Sequence, residues 1–213
     1  TQARDQVDPA VMQTASSIDT PLPKYLSGVA AGMTIGFDPW LHTQAEAAAL
    51  RKAAEETGFK LVPLPHNPID RIWQDRPLAP KGKVVQHPET LAGRSAAAKL
   101  DEMGETMRAA GGTAAVLTDP SSIAWVFNIR GQDVPHTPLP LSFAILKSDG
   151  RPTLFIDPDK LDGAVKDYLS ALADLAAPDA FDAALRGFRA GERVLVDPAL
   201  AAERIVELIL SLI

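Results

Sequence analysis

Residues 31–41 read AGMTIGFDPWL and residues 190–200 read AGERVLVDPAL, the same cadence repeated at an offset of 159 positions (190 against 31). Extended backwards, both copies share L-x-G-x-x-A-G, through Leu26, Gly28, Ala31 and Gly32 in one and Leu185, Gly187, Ala190 and Gly191 in the other. Matching Ala and Leu count for little in an alanine-rich chain. Two glycines and an Asp-Pro step in register count for more. Each copy predicts a helix closed by glycine, which tolerates positive φ, then a short strand, then an Asp N-cap with Pro at the first helical position. Any α/β protein reuses such punctuation, but the repeat favours two related units over one large one.

The chain has 213 residues and is 46% hydrophobic, enough to bury a sizeable core. Its net charge of −6, with Lys and Arg scattered, leaves no basic surplus for a nucleic-acid backbone. It has no cysteines, which excludes disulfides, thiolate metal sites and a Cys nucleophile, and suits a reducing cytosol. No apolar run approaches the roughly 18 residues of a membrane span, and TQARDQVD has no signal-peptide pattern. A soluble, cytoplasmic protein is expected; because it begins with Thr, it is also expected to be a piece of a longer chain.

Working outward from the repeat, SSIDTPLPKYL marks a helix start near Thr20 to Pro23, and the first copy predicts a helix from Pro39 to Thr57 followed by a strand from Phe59 to Leu64. Residues 66–88 carry proline among mixed charges and read as a linker packing over a domain junction through Ile72 and Trp73. Beyond it, Ala98, Leu100, Met103 and Met107 lie at helical spacing. Strands are expected at 113–117, 126–129, 142–147 and 153–156, with Ser148-Asp149-Gly150 as a hairpin turn, and a helix at 159–173. Alternating strands and helices with one hairpin predict an α/β fold whose sheet is mixed.

Most familiar chemistry is missing from the pattern. There is no G-x-G-x-x-G, no G-x-x-x-x-G-K-[ST] and no G-x-S-x-G, and His42, His66, His87 and His136 show no metal-binding spacing. The richest stretch is IAWVFNIRGQDVPHTPLPLSFAIL, residues 123–146. There Arg130 follows an apolar strand, with Asp133 and His136 in a proline-stiffened loop that presents a guanidinium and an imidazole to a neighbouring domain or an anionic ligand. The plainer reading is an Arg130–Asp133 ion pair with His136 merely solvated.

That stretch, with LFID at 154–157, resembles the second domain of the three-domain Xaa-Pro aminopeptidases (aminopeptidase P) of the creatinase/prolidase superfamily. NPIDRIWQDRP at 67–77 is similar to the segment joining their first and second domains, and QARDQVD near the start to the strand-to-helix region late in their first. The resemblance implies two related creatinase N-terminal-like units, the first one partial, each a mixed β-sheet flanked by helices. It assigns residues 1–80 to the partial first domain and linker, and 81–213 to the second. In this family the first two domains are copies of one α/β unit, which accounts for the repeat.

Members of the family remove the N-terminal residue from peptides with proline second. They use two divalent metals, manganese in particular, held by two Asp, one His and two Glu of a C-terminal pita-bread domain. No stretch here matches that ligand set, so the resemblance implies no cofactor and no catalytic residue in this chain. It implies a non-catalytic region shaping substrate access and subunit contacts. Arg130, His136 and Asp133 are its substrate-proximal candidates and Ile72 and Trp73 its interdomain ones. The partners implied are the pita-bread domain, proline-containing peptides and a second subunit in a homodimer, with no nucleic acid or membrane. The alternatives are a stand-alone peptide- or protein-binding module of the same fold, and a small-molecule enzyme built on Arg130, His136 and Asp133. The apolar terminal segment from Ile205 to Ile213 is too greasy for solvent and is expected to dock on another copy or on the preceding sheet, with the surface near it meeting the downstream domain.

Overall fold

A computed structural model describes residues 2–211. The first stretch contains α1 (Gln2–Gln6), α2 (Leu22–Val29), β1 (Thr34–Phe37), α3 (Gln44–Thr57), β2 (Lys60–Pro63) and α4 (Pro68–Ile72). β1 and β2 pair in parallel, Thr34 opposite Lys60. α3 crosses between them and packs Leu50, Ala53 and Ala54 onto Leu26 and Ala30 beside α2 and onto Phe59. Its ends follow from sequence. Thr43 and Glu46 form a reciprocal capping box, and Gly58 takes φ 81° at the C-cap.

The rest of the chain forms β3 (Val85–Gln86), α5 (Glu89–Ala92), α6 (Ala96–Ala109), β4 (Ala114–Leu117), α7 (Pro120–Val126), β5 (Ile129–Arg130), β6 (Phe143–Lys147) and β7 (Thr153–Phe155). It continues through α8 (Gly163–Leu172), β8 (Asp174–Ala176), α9 (Phe181–Leu185), β9 (Val194–Leu195) and α10 (Glu203–Leu210). Five strands make one mixed sheet in the order β8-β7-β6-β4-β9. The pairs around β6 are antiparallel and the two outer pairs parallel. Strand alternation feeds both faces. Ala144, Leu146 and Leu154 meet Ile123, Phe127 and Leu169 on one side. Val116, Ile145 and Phe155 meet Phe181, Leu185, Ile205 and Leu208 on the other. The fold is thus α/β with a mixed sheet flanked by helices.

Three local expectations change. Residues 66–88 are not all irregular, because Asn67 caps the single turn of α4 and β3 pairs with β5. Val126 belongs to α7 rather than to a strand, and β5 begins only at Ile129, after Asn128 turns the chain with φ 48°. The repeat's two Asp-Pro steps do not cap helices, although Asp119, before Pro120, caps α7 by accepting from Ser122 N at 2.8 Å. Asp38 accepts from Trp40 N at 2.8 Å and Asp197 from Ala199 N at 2.8 Å, so both close Asx turns. The helices that follow start later, after Thr43 and after Ala202.

Those two turns instead dock on each other. Gln44 N donates to Ala201 O at 2.9 Å while Glu203 N donates to His42 O at 2.8 Å; Ala45 N reaches Pro198 O at 2.9 Å while Arg204 N reaches Pro39 O at 2.9 Å. Thr43 and Ala202 form the antiparallel bridge between them. Under the 159-residue offset the two bonds of each couple are images of each other and the bridge is its own image, so the contact is a pseudo-two-fold, isologous one inside a single chain. β1 and β9 nevertheless lie in different sheets. At the edge of the contact Arg51 pairs with the buried Glu203.

The terminal segment docks on its own sheet. Ile205 and Leu208 are fully buried against Phe181 and Leu185, and Leu210 is exposed. Leu212 and Ile213 lie outside the described residues.

Candidate functional site

The loop from Ile129 to Ser142 leaves β5 and returns into β6. Its shape rests on backbone packing. A Cβ on Gly131 would stand 2.6 Å from Pro140 N, and one on Gly82 2.4 Å from the Gln132 carbonyl carbon. Val134 and Thr137 bridge across Pro135-His136, with His136 at φ 60°; proline followed by a left-handed residue has the φ signs of a type II turn, where glycine is usual. The side chain of His136 is held at the exposed tip.

Asp133 points inward. Its carboxylate accepts from Gly82 N at 2.9 Å, Leu141 N at 2.7 Å and Lys160 Nζ at 2.7 Å, and the Asp133 side chain is 0% exposed. Lys160 also donates to Leu141 O at 3.2 Å. This knot ties the linker, the loop and the turn after β7 together, a task for a buried acceptor with several donors. The ion pair expected between Arg130 and Asp133 is therefore replaced by Lys160–Asp133. A single sequence gave no sign of Lys160, which sits in an ordinary Asp-Pro-Asp-Lys turn.

Arg130 is half-buried and donates to the carbonyls of Ile129 at 2.8 Å and Ala124 at 3.4 Å. Next to it is Lys99, only 2% exposed, whose ammonium donates to Trp125 O at 2.8 Å and Asn128 Oδ1 at 2.7 Å and stands 4.3 Å from the Trp125 ring centroid. Asn128 in turn donates to Arg94 O at 2.8 Å. Burial, and then repulsion from Arg130 and Arg94, hold the Lys99 ammonium below the ordinary lysine pKa. Asn tolerates the left-handed backbone and its amide bridges two segments, which explains its place after α7. The structure therefore brings Arg130 beside Lys99, leaves His136 at the loop tip and turns Asp133 into the core.

Ile72 and Trp73 are 72% and 47% exposed in this chain. Among the described residues no group of three or more His, Cys, Asp or Glu could hold a metal ion, so a metal pair does not fit the side chains present. Among the same residues no helix is long and apolar enough to cross a membrane.

A mixed five-stranded sheet with helices on both faces, entered through the N-I-R-G loop, defines the class. Residues 75–211 match the Creatinase/Prolidase N-terminal domain, and the chain belongs to that family. The particular relatives are Xaa-Pro aminopeptidases. The chain is 37% identical over 139 residues to a probable Xaa-Pro aminopeptidase P of Coccidioides posadasii, covering 65% of this chain and 23% of that protein. It is 36% identical over 143 residues to the corresponding protein of Colletotrichum graminicola, with 66% and 23% covered. The chain thus spans about a quarter of the length of these relatives. The crystal structure of X-prolyl aminopeptidase from Caenorhabditis elegans, described as a cytosolic enzyme with a di-nuclear active site, superposes with a TM-score of 0.83 at 25% identity. That match covers 96% of this chain and 35% of the other.

Proposed function

We propose that this chain is the non-catalytic N-terminal region of a Xaa-Pro aminopeptidase, the end of a first domain and linker (1–80) followed by a second domain (81–213). The observation that carries this reading is the near-complete superposition on about a third of the C. elegans enzyme. In the whole protein a pita-bread domain supplies two divalent metals, manganese in this reading, and hydrolyses peptides with proline second. The enzyme is cytoplasmic and dimeric.

Within that enzyme the loop from Arg130 to Leu141 limits access to the substrate. His136 supplies the exposed contact. Arg130, whose bonds are all to backbone carbonyls and which sits beside a second cation, favours a carboxylate. Asp133 holds the loop in place rather than touching substrate. Ile72 and Trp73 meet the catalytic domain.

The test begins with the coding frame. It should continue past Ile213 into a domain carrying two Asp, one His and two Glu, and a frame that stops there defeats the reading. In the full-length protein, His136→Ala should raise KM for a proline-second tripeptide severalfold with little change in kcat; an unchanged KM removes the loop from substrate access.

A further inference from the structure

Asp-Gly occurs twice in the chain, at Asp149-Gly150 and at Asp162-Gly163. In such a step the glycine nitrogen can attack the aspartate side-chain carbon, because no β-carbon on glycine shields it. Ring closure requires the aspartate Cβ to eclipse that nitrogen about the Cα–C bond. The fold treats the two steps differently.

Asp149 and Gly150 sit at the tip of the hairpin between β6 and β7. The Asp149 side chain is 81% exposed, with its oxygens 3.2 Å from Arg108 and 3.5 Å from the Ser148 hydroxyl. Among the described residues the Gly150 N–H donates to no backbone acceptor. Gly150 takes φ 145°, a backbone that residues with side chains rarely adopt, so the turn calls for glycine. The hairpin thus selects the residue that leaves its neighbour open to attack. Asp162 is exposed as well, but it caps α8. Its Oδ1 accepts from Val165 N at 2.9 Å, and its ψ of 174° holds Cβ well away from eclipsing Gly163 N.

We propose that Asp149 is a site of spontaneous isoaspartate formation, and that Asp162 is protected from the same reaction by its capping role. At Asp149 the carboxylate takes a proton from water, the Gly150 nitrogen bonds to Cγ, and the hydroxyl leaves with the amide proton as water. The product is a succinimide, which water then reopens. Attack on Cγ restores aspartate. Attack on the main-chain carbonyl breaks its bond to nitrogen, so the chain now runs through Cγ and the carboxylate sits on Cα. Water leaves and returns, so the isoaspartyl chain has unchanged mass, but its turn is one carbon longer and its carboxylate is drawn off Arg108. Arg108 also donates to Ser148 O, and a Cβ on Gly104 would lie 3.3 Å from that oxygen, so the hairpin closely supports α6. The longer turn therefore loosens the Ser148 amide, which donates to Thr113 O at 2.9 Å beside β4. The inference stands independently of the proposed function.

The experiment ages the 213-residue chain at neutral pH and maps it with trypsin. Residues 148–160 and 161–166 are separate tryptic peptides, because trypsin does not cut Arg151-Pro152, and each carries one Asp-Gly step. An isoaspartyl peptide separates from its parent at equal mass, and fragmentation locates the position. In the folded chain 148–160 should convert at least about tenfold faster than 161–166, the factor that opening a capped helix end imposes. In urea, where the cap is lost, the two rates should come within about threefold of each other. Asp149→Ser should abolish the signal in 148–160, and the aged chain should exchange faster at the Ser148 amide. Equal rates in the folded chain, a faster 161–166, or a tenfold bias that persists in urea overturns the inference. A Ser148 amide that exchanges alike in aged and fresh chains overturns the loosening of the hairpin.

Discussion

Lys160→Met tests whether Asp133 is a structural hub. The substitution keeps the length of the side chain but leaves a carboxylate that is 0% exposed with only two backbone donors, Gly82 N and Leu141 N. Breaking a buried ion pair from one side costs roughly 3–5 kcal/mol, and the two remaining N–H bonds favour the low end, about 3 kcal/mol. At about 1.4 kcal/mol per tenfold, local opening should become more than a hundredfold more frequent. Amide exchange at Gly82 and Leu141 reads that opening directly, because both amides donate to the affected carboxylate. Adding Asp133→Asn removes the stranded charge while one amide oxygen still accepts, so the double variant should recover part of the loss. If Lys160→Met leaves both amides within about threefold of the parent and the urea midpoint unmoved, the buried pair does not hold the loop and the account is wrong.

Gly82→Ala places a Cβ against the Gln132 carbonyl at 2.4 Å, a backbone contact that cannot swing away, so it should destabilise by about 1–3 kcal/mol in urea unfolding. For Lys99, burial lowers the folded pKa below 10.5, so between that folded value and 10.5 the unfolded chain binds more protons and stability rises with pH. Lys99→Met should flatten that rise, seen as thermal midpoints compared from about pH 8 to about pH 10. Arg51→Ala strips from Glu203 its one hydrogen-bonding side chain among the described residues, where Glu203 Oε2 already has no partner. Arg51 is 46% exposed, so water softens the loss to about 1–2 kcal/mol, and faster exchange at the Gln44 and Glu203 amides should accompany it. Asp197→Ala removes an Asx turn rather than a helix cap and should cost about 1 kcal/mol, with the same amides loosened.

What the sequence determined by itself was local or periodic. The helix from Ala96 to Ala109, the strands at 114–117 and 143–147, the hairpin at 148–150 and the Asp119 cap follow from side-chain spacing and turn chemistry acting within a few residues. The repeat was visible for the same reason, since glycines and Asp-Pro steps impose backbone geometry wherever they occur. The family was legible because the Ile123–Leu146 motif is long and specific. The tertiary structure decided the partners. Asp133 could be read as the mate of Arg130 three residues away, yet it pairs with Lys160, 27 positions on, because only packing brings that ammonium to a carboxylate sealed from water. Ile72 and Trp73 looked like packing residues by composition and stand exposed, since apolar character does not say what lies opposite. The repeat's two Asp-Pro steps looked like helix caps. They became the two halves of one pseudo-symmetric junction because their outward carbonyls and the following amides are complementary only when both copies meet in space.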